Sequence, residues 1–374
     1  MSERIRVLVV DDSALMRKLI PTILARDSAI EVVGTAMDGA FALKKIEELR
    51  PDVVTLDLEM PRMDGMETLR LIMKSAPVPV ILFSTHSKDG AYSTFKALGL
   101  GAVDFVAKPK DAAVGHLDAI ADELIAKIKV AKRAVGHKLL AASLSDVSRA
   151  PKKKIGPGLA PNKIIAIGIS TGGPNALQFL LSQLPADFTS CILIVQHMPE
   201  GFTEMFARRL DECSALDVQE ARSGALLTAG RVLLCPGNRH MIVRRMARGD
   251  IVVLNDNPPV NGHRPSVDVL FNSVAQEFGP LGVGVLMTGM GDDGASGLGA
   301  IKEASGMTIA QSEESCVVSG MPRAAITRGY ANRIVSLDGM ATYLLSQYGA
   351  DRASIENKEK IEKAETLPVS SHRS

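Results

Sequence analysis

Ile5-Arg-Val-Leu-Val-Val-Asp-Asp12 opens the chain's first regular element: an apolar run, broken only by Arg6, that ends abruptly in two acids. A run of this kind, rich in β-branched residues, reads as a strand buried on both faces, the condition of a parallel sheet. Downstream, Ala14 to Ala25 places Leu15, Leu19, Ile20 and Ile23 at helical spacing. Val53 to Leu56, Val78 to Phe83 and Val103 to Val106 are further short apolar runs. Strands separated by helices predict a doubly wound parallel sheet. Leu117, Ile120, Leu124, Ile125 and Ile128 form the buried stripe of a closing helix.

The pattern then repeats. Ile164 to Ile169 is an apolar strand that runs into Ser170-Thr-Gly-Gly-Pro174. Cys191 to Val195 ends in Gln196-His-Met198, Val232 to Cys235 in Pro236-Gly-Asn238, and Val283 to Met287 in Thr288-Gly-Met-Gly291, with a further short strand over Ile251 to Leu254. A helix is expected over Asn175 to Leu184. The fold class is therefore α/β, in two parallel-sheet domains.

Length and composition agree. The 374 residues favour two domains, and 46% hydrophobic against 23% charged residues argues for packed cores. Lys and Arg (43) balance Asp and Glu (42), so no global basic field points to nucleic acid. Cys191, Cys213, Cys235 and Cys316 form no C-x-x-C pair, which argues against a zinc knuckle and suits a reducing cytoplasm. Neither a signal-peptide stretch at the N-terminus nor an apolar run of membrane-spanning length is present, so no membrane insertion is expected. The expected boundaries are a first domain over 1–128, a basic Pro/Gly linker over 129–160, a second domain over 161–349 and a charged tail over 350–374. Nine Lys or Arg against one Asp between Lys127 and Ala160 fit a solvated tether.

Two constellations of polar residues stand at strand ends. In the first domain Asp11 and Asp12 follow the first strand, Asp57 the third, Ser84 the fourth and Lys108-Pro109 the last. In a parallel sheet these positions share the crevice at the carboxyl edge. Three carboxylates there repel one another unless a cation joins them, and oxygen ligands of this kind suit Mg²⁺. One carboxylate could take a phosphoryl group as nucleophile, with the metal and the Lys108 ammonium neutralising its charge. These residues, with the run Asp57-Leu-Glu-Met-Pro-Arg-Met-Asp-Gly65, resemble the response-regulator receiver domain, a flavodoxin-like fold. The resemblance implies that Asp57 is the phosphoacceptor, that Asp11, Asp12 and Asp57 hold Mg²⁺, and that Ser84 and Lys108 sense the acyl phosphate. Thr85 replaces Ser84 if the strand ends one residue later.

In the second domain Ser170 lies in a glycine-rich strand-to-helix turn that exposes its hydroxyl. The start of the following helix could hold an oxyanion or a phosphate. The turn has no Walker lysine and no G-x-G-x-x-G spacing, which counts against a nucleotide site. His197 and Asp293 also follow strands, so the parts of a Ser-His-Asp triad gather at one sheet edge. Their chain order differs from that of the α/β-hydrolases.

Residues 162–348 resemble the catalytic domain of the chemotaxis protein-glutamate methylesterases, through Ile167-Gly-Ile-Ser-Thr-Gly-Gly-Pro174, Gln196-His-Met-Pro199, Cys235-Pro-Gly-Asn-Arg-His-Met241, Pro258-Pro-Val-Asn-Gly-His-Arg-Pro-Ser-Val-Asp-Val-Leu-Phe271, Leu286-Met-Thr-Gly-Met-Gly-Asp-Asp-Gly294 and Gln311-Ser-Glu-Glu-Ser-Cys-Val-Val-Ser-Gly-Met-Pro322. A receiver ahead of such a Rossmann-like hydrolase domain is that family's architecture. The resemblance implies a phosphorylation-activated, cytoplasmic serine hydrolase that demethylates glutamyl methyl esters and deamidates glutamines in chemotaxis. Its substrate would be the cytoplasmic domain of a chemoreceptor and its phosphodonor a chemotaxis histidine kinase. Ser170 is then the nucleophile, His197 the base and Asp293 its orienter, with the backbone amides of Thr171 and Met290 as candidates for the oxyanion site. Ester hydrolysis needs no cofactor. Asp292 competes with Asp293 for the orienting role, and Asp293 is preferred because it precedes the motif glycine. His240 and Arg264 could meet an acidic substrate or bind a local carboxylate or carbonyl. A transcriptional regulator would need a recognition helix after the linker, and no helix-turn-helix pattern occurs there.

Overall fold

The computed structural model describes residues 4–85, 87–108, 114–133 and 159–349. Pro109, most of the basic linker and the charged tail lie outside the described residues, as does the side chain of Leu117.

The first domain runs β1 (Ile5–Val10), α1 (Met16–Leu24), β2 (Ile30–Ala36), α2 (Gly39–Leu49), β3 (Val53–Asp57), α3 (Gly65–Ser75), β4 (Val80–Ser84), α4 (Lys88–Gly99), β5 (Asp104–Ala107) and α5 (Val114–Arg133). Its five strands are all parallel, in the order β2-β1-β3-β4-β5. The expected strand over Val78 to Phe83 begins two residues late, after Pro79, which has no N–H to give a ladder. The buried stripe of α5 is as the spacing predicts, with Leu124 and Ile128 fully enclosed.

The second domain continues through β6 (Ile164–Ile169), α6 (Gly173–Ser182), β7 (Cys191–Gln196), α7 (Thr203–Cys213), β8 (Asp217–Glu220), β9 (Arg231–Leu234), β10 (His240–Arg244), β11 (Ile251–Asn255), α8 (Val267–Phe278), β12 (Gly282–Leu286), α9 (Ala295–Glu303), β13 (Met307–Gln311), α10 (Gly320–Thr327), β14 (Arg333–Val335) and α11 (Leu337–Tyr348). Seven parallel strands order as β14-β13-β12-β6-β7-β9-β8, and β10 and β11 form a separate antiparallel hairpin. The chain leaves β6 toward β7 and later returns to its other side at β12. The crevice above β6 is thus a topological switch point, where ligands of open α/β sheets bind.

The two domains share buried contacts. Phe95 on α4 stacks on Phe206 of α7, with centroids 4.9 Å apart, and Phe105 on β5 stacks on Phe202 at 4.8 Å. These rings join one continuous apolar cluster spanning both domains. Such pairs add about 0.5–1.5 kcal/mol each beyond the area they bury.

Candidate active site and phosphorylation pocket

Ser170 is the first residue past β6, His197 the first past β7, and Asp293 lies seven residues past β12. The switch point therefore brings them together around one cleft. Ser170 N–H donates to Thr288 O at 2.9 Å, and Gln196 Nε2 donates to the carbonyls of Ser170 (3.0 Å) and His197 (3.1 Å), so the two turns are clamped to each other. The turn after Ser170 needs Gly172, whose φ of +76° lies in the left-handed region. A Cβ on Gly289 would come within 2.9 Å of Ser170 Cβ, so only glycine fits beside the nucleophile.

His197 Nε2 lies 2.8 Å from Asp293 Oδ2. A carboxylate can only accept, so Nε2 carries the proton and Nδ1 is the basic nitrogen. Nδ1 is buried and has no hydrogen-bond partner. His197 lines, with Ser170, Thr171 and Met290, a cleft of about 460 Å³. Asp293 is 2% exposed and fully partnered: Ser266 Oγ donates to Oδ1 at 2.7 Å, Asn261 Nδ2 to Oδ1 at 3.1 Å and Val267 N–H to Oδ2 at 2.7 Å. Burial pushes its carboxyl up, but the bond and charge of His197 and these donors outweigh that and hold it far below the usual carboxylate range. Asp292 points elsewhere, pairing with Arg328 at 2.6 Å on the surface. Among the described residues the amides of Thr171 and Met290 donate to nothing.

The structure places His240 away from the cleft. It is 0% exposed; Nδ1 accepts from Ser266 N–H (3.2 Å) and Nε2 donates to Pro258 O (3.1 Å). Its reading as a substrate contact is corrected: no ring atom is free to meet one, and it binds a local carbonyl. Arg264 does line the cleft. Its guanidinium is held by Asn238 Oδ1 and by the carbonyls of Asp256 and Asn257, all uncharged acceptors. His263 also lines the cleft, although nothing in the sequence marks it as a functional candidate by itself. Its ring stacks on that of His197, and the one available signal was its place in a polar run, Asn261-Gly-His-Arg264, that carries no strand or helix period.

At the first domain's crevice, Lys108 Nζ lies 2.7 Å from Asp57 Oδ2 and 3.1 Å from Asp11 Oδ2. Burial raises the Asp57 carboxyl, and the neighbouring Asp11 charge adds to this against the pull of Lys108. Asp11 Oδ2 is buried yet accepts no aligned hydrogen bond, and ligand oxygens of Asp11, Asp12 and Asp57 lie within 4.8 Å of one another. An under-coordinated carboxylate cluster of this size fits a divalent cation. Ser84 ends β4, with Thr85 one step outside it. The Ser84 hydroxyl accepts from Thr94 Oγ1 at 2.6 Å and donates to Gly90 O at 3.3 Å.

Both halves of the chain are similar to known proteins. The family model described as "Response regulator receiver domain" matches residues 7–118, and that described as "CheB methylesterase" matches residues 165–344. The "protein-glutamate methylesterase/protein-glutamine glutaminase 2" of Koribacter versatilis is 63% identical, over 94% of this chain and 98% of its own. The "protein-glutamate methylesterase/protein-glutamine glutaminase" of Symbiobacterium thermophilum is 46% identical, over 92% of this chain and 97% of its own. A crystal structure of the Thermotoga maritima CheB methylesterase catalytic domain, 36% identical, covers 50% of this chain and 100% of its own, with a TM-score of 0.49. With a 63% identical relative matched over almost its whole length, the chain belongs to the protein-glutamate methylesterase/protein-glutamine glutaminase family.

Proposed function

We propose that this chain hydrolyses glutamyl methyl esters, and deamidates glutamines, on the cytoplasmic domains of chemoreceptors, under the control of an acyl phosphate on Asp57. The observation that carries the reading is His197: one ring nitrogen is bound to a buried carboxylate, the other is unpartnered, and the residue lines the same cleft as Ser170.

Ser170 Oγ attacks the ester carbonyl carbon while His197 Nδ1 takes its proton. Asp293, held ionised, stabilises the imidazolium through Nε2–H. The unbonded amides of Thr171 and Met290 receive the oxyanion; one such donor is worth about 10²–10³ in rate. His197 then protonates the leaving methoxide, and methanol departs. Water, deprotonated by the same nitrogen, attacks the acyl-enzyme and releases the glutamate side chain and Ser170. For a glutamine the leaving group is ammonia.

In the receiver, Asp11, Asp12 and Asp57 would hold Mg²⁺, which supplies charge neutralisation for phosphoryl transfer from a chemotaxis histidine kinase. Asp57 offers the nucleophilic oxygen, and Lys108 holds its charge. Four free cysteines, three of them buried, suit a cytoplasmic protein. Among the described residues no helix is long and apolar enough to cross a membrane.

The test is methanol release from methylated receptor membranes, with and without a small-molecule phosphodonor. Ser170→Ala should lower the rate on the order of 10⁴-fold, with His197→Ala alike and the double variant little worse. Turnover at the original rate in Ser170→Ala would remove the triad.

A further inference from the structure

Asp104 is the first residue of β5 in the receiver, yet its carboxylate reaches the nucleophile turn of the other domain. Oδ2 accepts the N–H of Gly172, two residues beyond Ser170, at 3.2 Å. Oδ1 accepts its own neighbour's amide, Phe105 N–H, at 2.8 Å and lies 3.4 Å from Lys127 Nζ on α5. Lys127 also pairs with Glu123 at 2.7 Å. Asp104 is 3% exposed and lines the same cleft as Ser170, His197 and Met290.

This is an unfavourable place for an acid if docking were the only need. Phe95 and Phe105 against Phe202 and Phe206 already bury the apolar face, and a buried ion pair contributes less than well-packed apolar groups. Burial raises the Asp104 carboxyl, against the pull of Lys127. The Gly172 N–H, the Phe105 N–H and Lys127 are what hold the carboxylate there against that cost while the domains are docked. A cleft that makes a carboxylate as its product, lined by a carboxylate from the controlling domain, has the chemistry of product inhibition.

Resting on the esterase reading above, we propose that Asp104 is a tethered carboxylate ligand of the esterase cleft, held on the Gly172 amide in the place of a free carboxylate. It occupies the turn beside Ser170 while the domains are docked. It departs with the receiver when Asp57 is phosphorylated, and the glutamyl group can then approach. Because the docked carboxylate has lost its hydration, the two states stay close in free energy, as a switch of a few kcal/mol requires.

The test is chemical rescue of inhibition in the full chain. Asp104→Ala should raise the unphosphorylated rate about tenfold, since the docked state loses a charge-assisted bond and leaves the Gly172 N–H unsatisfied. Formate added to this variant should enter the vacated space and return the rate toward the original. Chloride at equal ionic strength should not, and the unsubstituted protein should ignore both. Phosphorylation of Asp57, read by intact mass, establishes that the variant receiver is folded. If Asp104→Ala fails that control, Asp104→Asn replaces it, with an expected rise in basal rate of threefold or more, on the order of a weakened hydrogen bond. An unchanged basal rate in a variant that is still phosphorylated overturns the proposal. So does a raised rate that formate does not lower, which would make Asp104 a packing residue only. Hydrogen exchange at Gly172 separates this inference from the esterase reading: it should quicken in Asp104→Ala and slow again with formate, even if no variant hydrolyses an ester.

Discussion

The imidazole of His263 lies flat against that of His197, with centroids 3.9 Å apart and planes 7° from parallel. His197 gains a positive charge each time it takes the Ser170 proton, so its stacking partner must stay neutral. Burial lowers the His263 pKa, and the charge of His197 lowers it further. We expect His263→Ala to reduce kcat about tenfold or more with little change in KM, because the ring aligns the base and does not bind the ester. Phe at this position should restore much of the loss. The pH dependence has a definite sign. A histidine whose folded pKa is below its ordinary 6.5 binds fewer protons when folded, so stability falls as pH drops below that value. His263→Gln should lose less stability than the original chain between neutral pH and mildly acidic pH, measured by urea denaturation.

Asp293 and its neighbour should separate cleanly. Asp293→Asn leaves the shape but gives His197 the wrong tautomer, and kcat should fall on the order of 10⁴-fold. Asp292→Asn removes one exposed pair with Arg328, which contributes within about 0.5 kcal/mol, and should leave the rate alone. The depressed pKa of Asp293 also bears on acid stability. Its stabilising effect is present above the unfolded carboxyl value and is lost as pH falls through the much lower folded value. Asp293→Asn should therefore flatten the acid limb of a stability-against-pH curve; a limb of unchanged steepness would assign acid sensitivity to other carboxylates.

What could be read from sequence follows from where side chains meet their partners. Ile164 to Ile169 was bounded to the residue because an unbroken apolar run between polar turns can only be a strand buried on both faces. Ser170, His197, Asp57 and Lys108 were legible because a parallel sheet sends every strand end to one edge. The short strands Asp217–Glu220 and Arg333–Val335 escaped notice: each lies at a sheet edge and carries little apolar pattern. His240 and His263 could not be told apart in sequence. His240 opens β10 and His263 lies in a loop, yet both stand in polar sequence, and only the fold shows one bound to the Pro258 carbonyl and the other on His197. Asp104 was invisible for a different reason: its partner is an amide in another domain, and no local period encodes such a contact.

The last prediction concerns how the phosphate is sensed. Ser84 is 2% exposed and its hydroxyl is held toward α4: Thr94 Oγ1 donates to it at 2.6 Å, and Ser84 donates to Gly90 O at 3.3 Å. Thr94 is itself fully buried, and the next residue, Phe95, is the ring stacked on Phe206 across the domain interface. A phosphoryl group on Asp57 brings strong acceptor oxygens to the crevice. If Ser84 turns to donate to one of them, Thr94 keeps only the Gly90 carbonyl, 2.7 Å away within its own helix, and the helix that presents Phe95 to α7 loses its tie to β4. Removing that tie in advance should mimic part of the effect. Thr94→Val is close in shape and cannot hold Ser84, so it costs the docked state one buried hydrogen bond, about 1 kcal/mol. The unphosphorylated chain should then release methanol roughly fivefold faster, and the stimulation by phosphodonor should shrink by the same factor, because the phosphorylated rate is unchanged. Ser84→Ala should do the reverse at the other end of the relay: Asp57 still takes phosphate, seen by mass, but stimulation is largely lost. A Thr94→Val chain with the original basal rate and full stimulation would show that α4 receives the signal by another route than the Ser84 hydroxyl.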